Sequence, residues 1–162
     1  MTSVSLFEQI AGFMDVAERR YQSVDVEDSQ LIVAEIGGDD GTWSAYIQIT
    51  DDQERRLIVV HAHLPARIPE NNRLKVAQLL TRINYDLIVG NFEMNFDDGG
   101  VLLKTTLDLA DGQLTQAMFE QMYETNCHMM NEYYAKILSV GFGEPGGQSV
   151  TDNAKPEGVM LQ

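Results

Sequence analysis

The chain has 162 residues, 44% of them apolar, 22% charged and 8% aromatic, with 13 Gly, 4 Pro and a single Cys. That balance fits one folded domain and excludes a collagen-like, low-complexity or wholly disordered chain. Eleven basic residues against twenty-five acidic give a net charge of −14, a field that repels phosphate backbones and anionic headgroups and argues against nucleic-acid and membrane-surface partners. The same sign favours solubility and partners with basic segments. One Cys forms no internal disulfide, the start MTSVSLFEQI lacks a signal-peptide pattern, and no apolar run approaches the roughly 20 residues of a membrane span. The expected location is cytoplasmic.

In chain order, Leu6 to Tyr21 carries Leu6, Ile10, Phe13, Ala17 and Tyr21 at helical spacing, with Phe7 and Met14 widening the stripe. Ser5 and Glu8 have capping-box spacing, and Asp15 and Arg19 form an i,i+4 pair. Three strands follow: Gln30 to Ile36, Thr42 to Thr50 and Arg56 to Leu64. In the second, Trp43, Ala45, Ile47 and Ile49 alternate with Ser44, Tyr46, Gln48 and Thr50. In the third, Ile58, Val60, Ala62 and Leu64 alternate with Leu57, Val59, His61 and His63. The short acidic turns between them predict an antiparallel meander, because parallel pairs need long crossovers. After Pro69, a helix from about Glu70 to Leu87 is expected to bury Leu74, Ala77, Leu80, Ile83 and Leu87. Phe92 to Phe96, a turn at Asp97-Asp98-Gly99-Gly100 and Val101 to Leu109 read as a hairpin. The last helix, Thr115 to about Leu138, shows a stripe of Met118, Met122, Thr125, Met129, Tyr133 and Ile137, with Leu114 and Phe119 placed as a hydrophobic staple. The neighbours Tyr133 and Tyr134 cannot both face inward. The fold class is α+β, in the order α-β-β-β-α-β-β-α, an antiparallel sheet with helices packed on one face. Residues 1–140 form the domain, and 141–162, rich in Gly and Pro, form a flexible tail.

No set of residues converges on catalysis. Gly141-Phe142-Gly143-Glu144-Pro145-Gly146 spells G-x-G-x-x-G, but it follows a helix, whereas a dinucleotide loop must follow a strand and open a helix. His61 and His63, two apart on a strand, can point at one metal ion; no third ligand stands at diagnostic spacing, so they read first as strand histidines. Cys127 and His128 are adjacent on a helix and diverge by about 100°, which separates thiol from imidazole. The pairs Asp39-Asp40, Asp51-Asp52 and Asp97-Asp98 sit in turns, where Asp hydrogen-bonds local backbone. The expectation is a protein that is not an enzyme and carries no cofactor.

Ile83-Asn84-Tyr85-Asp86-Leu87, Gly90-Asn91-Phe92-Glu93-Met94-Asn95 and Asp98-Gly99-Gly100-Val101, preceded by Leu64-Pro65, form a run similar to the Asn-x-x-Leu, Gly-x-Phe and acidic-hairpin pattern of YbjN-type bacterial proteins and related cyanobacterial proteins. The resemblance covers roughly residues 5 to 140. It implies the fold of type III secretion chaperones, a small antiparallel sheet with packed helices that is usually dimeric. It also implies a chaperone-like or regulatory protein that binds another polypeptide and has no catalytic residues to transfer. The long tail is not part of that pattern.

The face left bare of helices carries Tyr46, Gln48, Leu57, Val59, His61 and Leu102, a mixed apolar and polar surface of the kind that captures peptides. These six are the expected contacts of a homodimeric protein with a polypeptide segment. A metal- or small-ligand-binding protein centred on His61 and His63, or a scaffold subunit of a larger complex, are the alternatives.

Overall fold

A computed structural model describes residues 4–26, 29–52 and 54–143. The elements run α1 (Leu6–Val16), β1 (Gln22–Val26), β2 (Ser29–Gly37), β3 (Thr42–Asp51), β4 (Arg56–His63), α2 (Glu70–Asp86), β5 (Asn91–Met94), β6 (Val101–Asp108) and α3 (Gln116–Phe142). The strands form one antiparallel sheet in the order β1-β2-β3-β4-β6-β5. The fold is α+β, with one strand more than the hydrophobic pattern predicts.

That strand, β1, begins at Gln22, directly after the expected end of α1 at Tyr21. α1 keeps its start: the Ser5 hydroxyl accepts from the Glu8 amide at 3.2 Å, and the Glu8 carboxylate accepts from the Ser5 amide at 2.8 Å. It ends at Val16, Ala17 caps it, and Glu18 turns the chain at φ 53°. The Asp15–Arg19 pair is therefore not formed along a helix. Arg19 instead reaches across to α3, where it bridges Glu120 at 2.5 Å and Glu124 and lies 4.6 Å over the Tyr123 ring.

The inner face of the sheet is apolar by alternation, and all three helices lie on it. Ala34, Ala45 and Ala62 align across β2, β3 and β4, a row of small side chains over which larger groups from the helices settle. One half of the core gathers Leu6, Ile10 and Met14 of α1 with Ile32, Ile47, Ile58, Val60 and Phe119. The other gathers Val76, Leu80 and Ile83 of α2 with Phe92, Leu103, Met130 and Ile137. Each such side chain contributes about 1.5–3 kcal/mol by leaving water.

Two helical stripes differ from the expected ones by a small rotation. α3 buries Phe119, Met122, Tyr123, Asn126, Met130, Tyr134 and Ile137, so Met118 is exposed and Met129 and Tyr133 lie at the border of the core. Tyr134 is the inward member of its pair, and Tyr133 packs edge-on against Phe92 at 5.8 Å. α2 buries Val76, Leu80 and Ile83, which turns Leu74 out to 64% exposure. The expected staple is in place: Leu114 and Phe119 are both buried, and the Thr115 hydroxyl caps α3 by accepting from the Met118 amide at 3.2 Å. α3 includes Gly141 and Phe142; the rest of the expected tail, 144–162, lies outside the described residues.

Candidate functional site: the helix-free face of the sheet

Strand alternation sends every second side chain away from the helices, and pairing stacks these into rows. Glu35, Ser44, His63, Leu102 and Glu93 form one row. Gln22, Val33, Tyr46, His61, Lys104 and Asn91 form the next. Then come Val24, Leu31, Gln48, Val59 and Thr106, and last Thr50, Leu57 and Asp108. All six expected contact residues stand on this face: Tyr46 and Gln48 on β3, Leu57, Val59 and His61 on β4, Leu102 on β6. The pairing draws Tyr46, Gln48, Val59 and His61 together, while Leu57 and Leu102 lie at opposite ends. Leu31, Val33 and Val24 extend the apolar area beyond those six. The alternation of Leu31 and Val33 was a usable signal for them; Val24 carried none, because its strand went unrecognised.

Charge is confined to the margin of the face. Lys104 and Glu93 pair at 2.8 Å in the β5–β6 corner, Glu35 accepts from the Ser44 hydroxyl at 2.6 Å, and Asp108 closes the last row. Burial alone would raise the Glu93 carboxyl, but hydrogen bonds from Lys104 and Asn91 hold it below the usual carboxylate range. Between these margins the side chains are apolar, aromatic, amide, hydroxyl or imidazole.

Tyr46 meets His63 edge-on at 5.0 Å, and the His61 and His63 rings lie 6.2 Å apart. Both imidazoles are held below their ordinary value, first by burial; Lys104 and His63 add to the effect on His61, and Arg67 adds to it on His63. They are thus kept neutral, in keeping with the uncharged face. Stability follows with a definite sign. Their contribution is fully present above the ordinary His value of about 6.5 and is lost as pH falls through the lowered values, because the unfolded chain accepts protons that the folded face resists. Between about pH 7.5 and 5.5 the urea midpoint should fall, and the His61→Gln, His63→Gln double variant should flatten that slope.

Among the described residues, no three His, Cys, Asp or Glu side chains gather to hold a metal ion, so His61 and His63 stand without a third ligand. The Cys127 thiol is pushed up to about 11, first by burial and then by the Glu124 carboxylate, and is protonated at neutral pH. The acidic pairs are engaged by the fold: Asp52 accepts from the Glu54 and Arg55 amides at 2.8 Å and Asp98 from the Gly100 amide at 2.7 Å within their turns, while Asp51 accepts from the Leu6 amide of α1 at 2.9 Å and Asp39 from Nδ2 of Asn131 on α3 at 2.8 Å. Two open hollows near the β3–β4 turn are lined by polar residues such as Arg56, Asp51 and Asp108, already engaged in ion pairs. No helix among the described residues is long and apolar enough to cross a membrane.

Among the described residues, an antiparallel sheet with its three helices on one side and a second side without helices defines a small α+β protein. The chain belongs to the YbjN family: the family model described as "Putative bacterial sensory transduction regulator" matches residues 7–139. Among solved structures it is similar to one described as "Crystal structure of YbjN, a putative transcription regulator from E. coli", at 17% identity and a TM-score of 0.57, covering 84% of this chain and 96% of that one. At that identity the likeness concerns the fold. No curated protein matches.

Proposed function

We propose that this protein is a non-catalytic, chaperone-like regulator that works as a homodimer and holds a segment of another polypeptide against the helix-free face of its sheet. The observation that carries this reading is the uncharged interior of that face in a chain of net charge −14. Acids placed for solubility alone would be spread over both sides of the molecule. Here they are kept out of an area with Tyr46, Val59 and Leu31 near its middle, a composition suited to apolar anchors flanked by hydrogen-bonding groups. The description of the family as regulatory supports a role in binding. A regulator of this charge acts more readily through a protein than by direct contact with a phosphate backbone.

The test is site-specific photo-crosslinking in the native cell. A photoreactive residue at Tyr46 should capture a discrete polypeptide, and one at exposed Gln121 on α3 should not. Val59→Glu, which places a charge in the middle of the face, should reduce that capture at least about tenfold while leaving the circular dichroism unchanged. Equal capture at Tyr46 and Gln121, or capture indifferent to Val59→Glu, would overturn the assignment.

A further inference from the structure

Histidine is the side chain whose ordinary charge change, at about 6.5, falls in the range a cell can reach, and the chain has three of them. Two stand side by side in the helix-free face. His61 lies across the strands from Tyr46 of β3 and Lys104 of β6, and His63 from Ser44 and Leu102. Their rings are 6.2 Å apart, the Tyr46 ring meets that of His63 at 5.0 Å, and both histidines are half-buried. Burial is the first cause that holds both below the ordinary value. Lys104 and His63 act in the same direction on His61, and Arg67 does so on His63; Glu93, tied to Lys104 at 2.8 Å, works the other way on His61. The third histidine, His128, stands 72% exposed on α3 beside Glu132, away from this face.

We propose that His61 and His63 together form an acid-operated release for the polypeptide segment held on this face: the segment lays an apolar stretch over the two rings, and protonation of the pair expels it. The inference names the regulation of the site in the proposed function and rests on that reading. Val59 and Leu102, beside the pair on β4 and β6, suit an apolar stretch. An apolar side chain laid over a neutral imidazole costs little, whereas over an imidazolium it strips the water from a charge. The face adds to that cost, because the two charges would stand 6.2 Å apart with Lys104 and Arg67 already at their margin. Above about 6.5 both rings are neutral with or without the segment, and affinity is level. Below the lowered values of the free face each ring must shed a proton to solvent before it is covered. Affinity then falls by up to about a hundredfold per pH unit for the pair, against about tenfold for one histidine. An acidic segment would do the opposite and be gripped harder as pH falls; the net charge of −14 repels such a segment.

Photo-capture in an extract of the native cell, with a photoreactive residue at Gln48, tests this. Gln48 is exposed on the same face, one row from His61. Between pH 7.5 and 5.5 the yield of a discrete captured polypeptide should fall at least about tenfold, while the circular dichroism stays that of the folded chain. In the His61→Gln, His63→Gln double variant the yields at the two pH values should agree within about twofold, because an amide takes up no proton in this range. His128→Gln should leave the pH dependence of the parent in place. His61→Lys, which fixes a charge beside His63, should lower capture at pH 7.5 at least about tenfold. Capture that is equal or stronger at pH 5.5 overturns the inference and leaves segment binding standing. So does a pH dependence that survives in the double variant, since the titrating group then lies elsewhere. If the parent chain captures no discrete polypeptide at pH 7.5, the proposed function itself falls, and this inference with it.

Discussion

Asn126→Ala should lower the stability of the folded chain by about 2–3 kcal/mol, read as a shift of the urea midpoint at unchanged slope. Asn126 is fully buried on α3 at the point where that helix crosses β4 and β6. Its Nδ2 donates to the Val60 carbonyl at 3.1 Å, the Leu103 carbonyl at 3.4 Å and the Thr105 hydroxyl at 3.2 Å. One amide thus ties the helix to two adjacent strands from the inside. Truncation removes those bonds, strands a buried Thr105 oxygen and opens a small cavity. The Oδ1 atom has no partner, so the site already carries one unsatisfied acceptor. That makes a sharper comparison available. Replacing both polar partners by apolar groups of similar shape, Asn126→Leu with Thr105→Val, should restore stability to within about 1 kcal/mol of the parent, whereas Asn126→Asp, which sets a carboxylate against carbonyl oxygens, should be worse than Ala. If Asn126→Ala and the apolar pair behave alike, the amide does not bind helix to sheet in the way the geometry implies.

The same residue shows where sequence patterning stops. β3 and β4 were legible because their alternation is clean: Trp43, Ala45, Ile47 and Ile49 inward, Ser44, Tyr46, Gln48 and Thr50 outward, with a matching set on β4. β1 was not, because all five of its residues are exposed and it is held by pairing with β2 rather than by burial, which leaves no hydrophobic signal. On α3, apolar residues occur on both sides of the chosen stripe, and a buried Asn interrupts the true one. Periodicity alone could not separate Met129 and Tyr133 from Met130 and Tyr134. On α2, Leu74, Ala77 and Leu80 at spacings of three and Val76, Leu80 and Ile83 at spacings of four and three both fit a helical stripe, and only the position of the sheet decides between them.

The candidate surface follows that division. The helix-free face was readable from alternation, since the residues opposite an apolar row must lie on the other side of the sheet. That the face would stay bare, with its charges at the rim, depends on where three helices dock. The outer side of α2 is likewise visible only after docking: Leu74 looks like a core residue until the other side of the helix is seen to be full.

Gly99→Ala should cost about 3 kcal/mol or more, and it bears on how α2 is held. Gly99 sits at φ +78°, a conformation that an L side chain adopts at a penalty of roughly 1 kcal/mol. An added Cβ would also fall 2.1 Å from the Ile68 carbonyl oxygen and 2.9 Å from the Ile68 nitrogen. Ile68 lies just before α2, and its amide donates to the Gly99 carbonyl at 2.8 Å. Arg73, in the first turns of α2, donates to the Ile68 carbonyl at 3.1 Å and to the Phe96 and Asp97 carbonyls at 2.7 and 3.2 Å. The 95–100 turn, itself closed by the Gly99 amide donating to the Asn95 carbonyl at 2.8 Å, is thereby seated on the start of the helix. A methyl group cannot enter without separating the two, which forfeits the Ile68–Gly99 bond and loosens the Arg73 contacts, each worth about 1 kcal/mol. Gly12→Ala supplies the opposite sign: Gly12 is inside α1, nothing lies within 4 Å of its added Cβ, and the change should stabilise by about 0.5–1 kcal/mol. Denaturant midpoints moving in opposite directions for the two alanines would show that backbone approach at Gly99, not glycine content as such, fixes the seat of α2. If Gly99→Ala were silent, the turn would have to give way without disturbing Ile68, and the close contact there would not be what positions the helix.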